Sequence, residues 1–171
     1  GSREVVVAVV IVVGHCRTEG VVSCARVVVG AVGALRGEAA FEGFSPDAVA
    51  AFSTVDVERL TRDPEIIRNR RKIEAAISNA RATVAMRASG DSSHGPAHLG
   101  ELVWLYQPSQ HPRPKNAEEV PAQTEESRAL AAELKRRGFV FFGPVTALAL
   151  MSAIGIVNTD ILGTWKRPLA E

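Results

Sequence analysis

Apolar positions follow two different rules along this chain. Between Val5 and Val13, eight of nine residues are β-branched and only Ala8 is not. From Phe41 onward, apolar positions recur three and four residues apart, the spacing of helices with one buried face. The punctuation agrees with that spacing. "SPDAVAAF" places Ser45 as an N-cap and Pro46 at the first helical position. Ser53 or Thr54 caps the next segment. Asp63 and Pro64 predict the start of a long helix through "DPEIIRNRRKIEAAISNARATVAMR", with Ile66, Ile73, Ile77, Ala80 and Val84 on one face. Residues 88–100 read as a loop. "LGELVWLY" predicts a short helix ended by Pro108. The four prolines of "QPSQHPRPKNAEEVPAQ" predict an extended surface connection. Thr124 caps a helix through Arg137, with Glu125 and Glu126 in its favourable first turn. Gly138 ends that helix, Gly143-Pro144 starts another, and Gly155 stops it. Residues 41–171 therefore read as almost entirely helical, with no internal repeat.

The valine-rich run fits none of this. It spans nine residues, against the roughly 20 that a membrane helix needs. No small-residue cleavage pattern follows it, so a secretory signal is not indicated and a soluble cytoplasmic protein is expected. By propensity the run is a strand. The helical remainder supplies no sheet for it to join, so the expectation is that it occupies helical space or packs irregularly against the bundle. A nucleotide-binding βαβ unit is excluded on specifics: there is no G-x-G-x-x-G, no Walker lysine and no parallel partner strand. Cys16 and Cys24 read as free thiols. His15 and Cys16 are adjacent, and adjacent residues seldom converge on one metal.

At 171 residues and 46% hydrophobic content, the chain is long enough for one domain with a sizeable core. A single domain over 1–171 is expected, with 1–40 as an atypical N-terminal segment and 41–171 as the helical core. Gly1-Ser2 reads as an expression scar. The net charge of +1 announces no nucleic-acid binder, but the distribution is uneven. Residues 59–72 carry Arg59, Arg62, Arg68, Arg70, Arg71 and Lys72 against Asp63 and Glu65. A second cluster is Lys135-Arg136-Arg137. Either is a solvated helix face or a local phosphate-binding face.

"LKRRGFVFFGPVTALALMSAIG", residues 134–155, carries the sharpest functional signal. It reads as a helix, a glycine-bounded hairpin and a second helix. Backbone amides at the tip, beside a helix N-terminus, suit a phosphate oxygen. Gly138 and Gly143 allow backbone angles and close approach that a Cβ hinders, and Lys135, Arg136 and Arg137 add charge. Such contacts position a duplex without reading its sequence. The alternative is a plain αα-hairpin plugged by Phe139, Phe141 and Phe142.

The stretches "FSPDAVAAFSTVDVERL", "IIRNRRKIEAAISNARA", "ELVW", "EVPAQTEES" and "LKRRGFVFFGPVTALALMSAIGIVN" occur in family order between Phe41 and Asn158. On these the chain resembles the DNA-3-methyladenine glycosylase I family of the helix-hairpin-helix superfamily. The resemblance implies an all-α, monomeric base-excision enzyme of the bacterial cytoplasm and nucleoid. Its substrate would be alkylated duplex DNA and its product free 3-methyladenine. A methylated adenine is already a good leaving group. The protein therefore has to flip the nucleotide, recognise the base and admit water, with a carboxylate near the oxocarbenium-like sugar. No redox cofactor or nucleotide is implied.

The N-terminal segment departs from that pattern. The resemblance implies a base pocket there, built from a glutamate beside a small residue and from tyrosine and tryptophan. Residues 3–40 contain no Trp, Tyr or Phe. Ungapped counting back from Phe44 brings Glu19-Gly20 into register with the implied catalytic glutamate, which makes Glu19 the candidate carboxylate. The resemblance also implies zinc held by a Cys and His near the start and a His and Cys near the end. Asp160 and Thr164 stand where the latter two are expected, so no metal site is expected. A chain that kept the phosphate grip and lost the pocket, a non-catalytic DNA-binding protein, is the competing reading. The abrupt join near Phe41 fits a shifted reading frame in GC-rich DNA, divergence, or poorly established residue identities.

Overall fold

The computed structural model describes residues 9–10, 28–29, 39–89 and 98–164. Among these the fold is all-α apart from one two-residue antiparallel pair. Strand β1 (Val9–Val10) pairs with β2 (Val28–Val29), with Val9 opposite Val29 and Val10 opposite Val28. For Val9 and Val10 this corrects the expectation that the valine-rich run occupies helical space or packs irregularly; the rest of that run lies outside the described residues. A second valine run, Val27–Val29, supplies the missing partner from within the same segment, and β-branched residues take that pairing readily. Strand β2 passes alongside the last helix described below.

The α-helices that carry the described residues after Phe41 are α1 (Pro46–Ala50), α2 (Thr54–Arg62), α3 (Arg70–Ala88), α4 (Leu99–Trp104), α5 (Glu125–Arg136) and α6 (Pro144–Ala153). Ser45 caps α1 by accepting from the Ala48 N–H at 3.5 Å, with Pro46 at the first position. Ser53, not Thr54, caps α2, and Asp56 Oδ2 accepts from its backbone N–H at 2.9 Å. These bonds hold the Asp56 carboxyl below its ordinary range, the Ser53 amide being the largest cause.

Helix α3 begins later than expected. Asp63 accepts from the Glu65 amide at 2.8 Å, an Asx turn that ends α2's run and does not nucleate a helix. Asn69 caps instead, accepting from the Lys72 amide at 3.2 Å. Ile66 consequently lies outside the helix, half-buried, while Ile73, Ile77 and Ala80 are buried as expected.

Helix α3 is the shared axis of two apolar clusters. Its Ile73, Ala76, Ile77 and Ala80 join Phe41, Phe44, Val49, Phe52, Val57 and Leu60. Its Met86 joins a second cluster built mainly by α4, α5 and α6. Arg81 reaches back from α3 to the Ala50 and Phe52 carbonyls at 2.9 and 2.8 Å, satisfying the end of α1. The second cluster contains Leu130, Leu134, Leu150, Met151 and Ile156, all fully buried. Each such side chain stabilises the fold by about 1.5–3 kcal/mol, so Leu134→Ala is expected to cost roughly 2–5 kcal/mol. The proline-rich segment carries a short 3-10 turn, Ala117–Glu119, capped by Asn116. It is tied to the C-terminal stretch where the Leu162 amide donates to the Pro114 carbonyl at 2.9 Å.

Candidate nucleic-acid interface

Residues 134–155 form two helices joined by a tight hairpin, as their punctuation predicts. Thr124 and Ser127 cap α5 reciprocally, at 2.8 Å for the Thr124 amide and 3.2 Å for the Ser127 amide. Leu130, Ala131 and Leu134 face the core. The helix ends in a Schellman motif: the Gly138 N–H donates to the Lys135 carbonyl at 3.0 Å and the Phe139 N–H to the Leu134 carbonyl at 2.9 Å. Gly138 has φ +88°, where a side chain is strained. Gly155 closes α6 in the same way.

Between the helices the chain turns on Phe139 and Phe142, both buried. Phe141 is not part of this plug. It is 60% exposed and has φ +59°, an uncommon conformation for a bulky residue. Gly143 also differs from expectation. Its φ is −100°, open to any residue, and a Cβ built there meets nothing within 4 Å. No neighbour among the described residues requires glycine at this position. Pro144 has no N–H, and the Val145 and Thr146 amides find no acceptor among the described residues. They belong to the first turn of α6, beside Gly143, and free amides of a helix's first turn are donors that suit an anion.

The hairpin is fastened to α3 by one residue. Asn79, buried and 61 positions away, accepts from the Val140 N–H at 2.8 Å and donates its amide to the Val140 carbonyl at 3.1 Å. Thr83 donates to the Asn79 carbonyl at 2.9 Å. Sequence reasoning missed Asn79, although a polar residue among Ile73, Ala76, Ile77 and Ala80 was a visible signal.

The basic cluster beside the hairpin is less available than its sequence suggests. Glu133 accepts a fork from Arg136 at 2.6 and 2.8 Å, and a further bond from Arg137 Nε at 2.6 Å. The Arg136 fork, outweighing the effect of burial, lowers the Glu133 carboxyl to about 2. Arg137 and Glu133 are mostly covered, while Arg136 is exposed. Burial, aided by Glu133, raises the Tyr106 phenol above its usual range. Lys135 is exposed and enters no ion pair among the described residues. The structure therefore brings Lys135, Gly138 and Gly143 to one hairpin but commits Arg136 and Arg137 to Glu133. The spacing of Glu133 at three and four residues from these arginines was the readable sign.

Glu19, His15, Cys16, Cys24 and Trp165 lie outside the described residues. No group of three or more His, Cys, Asp or Glu among the described residues could hold a metal ion. Thr164 donates its hydroxyl to the Ile161 carbonyl at 2.8 Å. It and Asp160 do not supply the cysteine sulfur and histidine nitrogen that the implied zinc needs. No helix among the described residues is long and apolar enough to cross a membrane.

Among the described residues the chain is a helical bundle that carries a tight hairpin beside a helix start whose first amides find no acceptor. Comparison with known proteins is consistent with this. The chain belongs to the methyladenine glycosylase family, whose model matches residues 36–167. It is 40% identical over 128 residues to DNA-3-methyladenine glycosylase 1 of Escherichia coli (strain K12), covering 73% of this chain and 65% of that relative. It is 34% identical over 125 residues to DNA-3-methyladenine glycosylase of Haemophilus influenzae (strain ATCC 51907 / DSM 11121 / KW20 / Rd), covering 71% and 64%. The match thus spans just under two thirds of these relatives. A crystal structure of 3-methyladenine DNA glycosylase I superposes with a TM-score of 0.71 at 38% identity, over 80% of this chain and 72% of that one.

Proposed function

We propose that this chain is a DNA base-excision glycosylase that hydrolyses the N-glycosidic bond of 3-methyladenine in alkylated duplex DNA. The observation that carries the proposal is the hairpin of residues 138–143 with its open helix start, found in a chain of this family. The named activity of the curated relatives supports it. In this reading the hairpin amides and Lys135 hold a phosphate, with Gly138 shaping the turn and Gly143 leaving room for the strand. Arg136 and Arg137 serve mainly to fix the end of α5 through Glu133. The target nucleotide swings out of the stack, and water replaces the base at the anomeric carbon as the sugar passes through an oxocarbenium-like state. Glu19 is the carboxylate assigned to stabilise that state or orient the water. The chain acts as one domain and as a monomer, and no metal enters the chemistry.

One observation favours a second reading, a non-catalytic DNA-binding protein. Residues 3–40 hold no aromatic side chain with which to stack a flipped base. The test is release of free 3-methyladenine from methylated duplex DNA by the chain and by Glu19→Gln. Release by the chain and a loss of a hundredfold or more in Glu19→Gln are expected, on the scale of removing one transition-state group. Equal release by both removes Glu19 from the mechanism. No release by either, with duplex affinity retained, selects the non-catalytic reading.

A further inference from the structure

Glu133 offsets one of the three positive charges beside the hairpin and ties down Arg136 and Arg137, which leaves Lys135 as the side chain there that enters no ion pair among the described residues. The other basic cluster has more of these. Arg59 is occupied by Asp56 at 3.6 Å and by the Ala40 carbonyl, and Arg70 by Glu74 at 3.0 Å. Arg68, Arg71 and Lys72 enter no ion pair among the described residues, and Arg68 and Arg71 are exposed.

Two features of their placement point to an anionic partner. First, Arg70, Arg71 and Lys72 occupy the first turn of α3, and that turn has no acidic residue. The amide partial charges at a helix start repel cations. Three cations there oppose the stability of α3, and an external anion would relieve them. Second, Lys72 is in register with the hairpin. Lys72 precedes Asn79 by seven residues on the same helix. At 100° per residue that is two turns less about 20°, so both lie on one face of α3, about 10 Å apart along its axis. Asn79 is the residue that holds Val140 of the hairpin. A duplex offers a phosphate on each strand about every 3.4 Å along its axis. Lys72 therefore stands about three phosphate spacings along α3 from the residue that holds the hairpin.

We propose that Arg68, Arg71 and Lys72 form a second phosphate-contacting strip, held in register with the hairpin by Asn79, and that this strip supplies most of the salt-dependent affinity for duplex DNA. The proposal rests on the reading of this chain as a protein that acts on DNA. It differs from the sequence-based expectation, which placed the DNA contacts on Lys135, Arg136, Arg137, Gly138 and Gly143 and left residues 59–72 open between a solvated face and a phosphate-binding one.

The test is binding of a fluorescently labelled, unmodified duplex, followed by anisotropy over a range of salt concentrations. The variant carrying Arg68→Gln, Arg71→Gln and Lys72→Gln together is expected to lower the slope of log affinity against log salt by about two to three, since each phosphate contact contributes about 0.9. Its thermal midpoint should equal or exceed that of the parent, because the first turn of α3 loses its self-repulsion. A control with Lys115→Gln and Arg128→Gln, both exposed and on other segments, should keep the parental slope. An unchanged slope in the triple variant, or an equal fall in the control, overturns the strip. Base release from methylated duplex separates this inference from the proposed activity. A parent that releases no base while the triple variant still loses slope leaves the strip standing and removes the glycosylase reading. Base release with an unchanged slope does the reverse. A parent without duplex affinity overturns both.

Discussion

Asn79 holds both polar groups of a single residue, Val140: its side-chain oxygen takes the Val140 N–H at 2.8 Å and its side-chain nitrogen gives to the Val140 carbonyl at 3.1 Å. No other long-range bond of this kind reaches the hairpin tip among the described residues. Asn79→Ala removes both bonds and is expected to cost about 1–3 kcal/mol. Stability alone is not the decisive readout. Well below the unfolding midpoint, a variant that merely lowers the folded fraction keeps its duplex dissociation constant. A loosened hairpin raises it. Asn79→Ala should raise the constant severalfold, whereas Ile77→Val, a comparable loosening of the same helix, should not. Equal constants in both variants remove Asn79 from any positioning role.

Gly143 makes a sharper prediction because nothing among the described residues requires glycine there. It is the N-cap of α6, with extended backbone and open space where a Cβ would stand. Aspartate is among the best N-cap residues and would take the Val145 or Thr146 amide for itself. Gly143→Asp should therefore leave the thermal midpoint unchanged or slightly higher. It should also weaken duplex binding by tenfold or more, since its carboxylate occupies the donors a phosphate needs and repels the strand. A stable variant with full affinity would show that the helix start is not used.

Local signals in the chain were legible and distant ones were not. Ser45-Pro46, Thr124, Gly138 and Gly155 act within a few residues of themselves, and each sits in the structure where its chemistry puts it. Asp63-Pro64 carries the same kind of signal but lost to Asn69. Its carboxylate was taken by the Glu65 amide two residues on, which makes a turn. Val9 and Val10 kept their strand character because they pair with Val29 and Val28, a partnership that local propensity does not reveal. The hairpin's attachment was hidden for the same reason. A bond across 61 positions depends on how α3 and the hairpin meet, and a lone polar residue on an apolar face marks only that some partner exists. The basic cluster was legible as charge but misjudged as free charge, because Glu133 was not weighed against its neighbours.

The Lys115–Glu119 turn offers a test of how the proline-rich connection is ordered. Glu119 accepts from the Lys115 amide at 2.9 Å and from the Asn116 side chain at 3.0 Å, while Asn116 accepts from the Glu118 and Glu119 amides at 3.0 Å. Asn116→Ala removes an N-cap and should cost about 0.5–2 kcal/mol. Hydrogen exchange should rise at Glu118 and Glu119 while α5 and α6 stay protected. Uniform loss of protection throughout would show that the connection is integral to the core.

The Glu133 pair predicts the acid limb of stability. Its carboxyl stands at about 2 in the folded protein, against 4.5 ordinarily. A lowered folded value means that the folded state binds its proton less readily than the unfolded one. The stabilisation is therefore complete above pH 4.5 and is lost as pH falls from there toward 2. The Arg136 fork is the largest cause of the shift, but because Arg136 is exposed much of its share is screened, whereas Arg137 is mostly covered. Glu133→Gln should lower the thermal midpoint at pH 7, and the gap from the parent should close between pH 4.5 and 2. It should also free Arg136 and Arg137 and so steepen the salt dependence of duplex binding. A gap that persists unchanged at pH 2 would show that Glu133 stabilises the end of α5 by packing and not by charge.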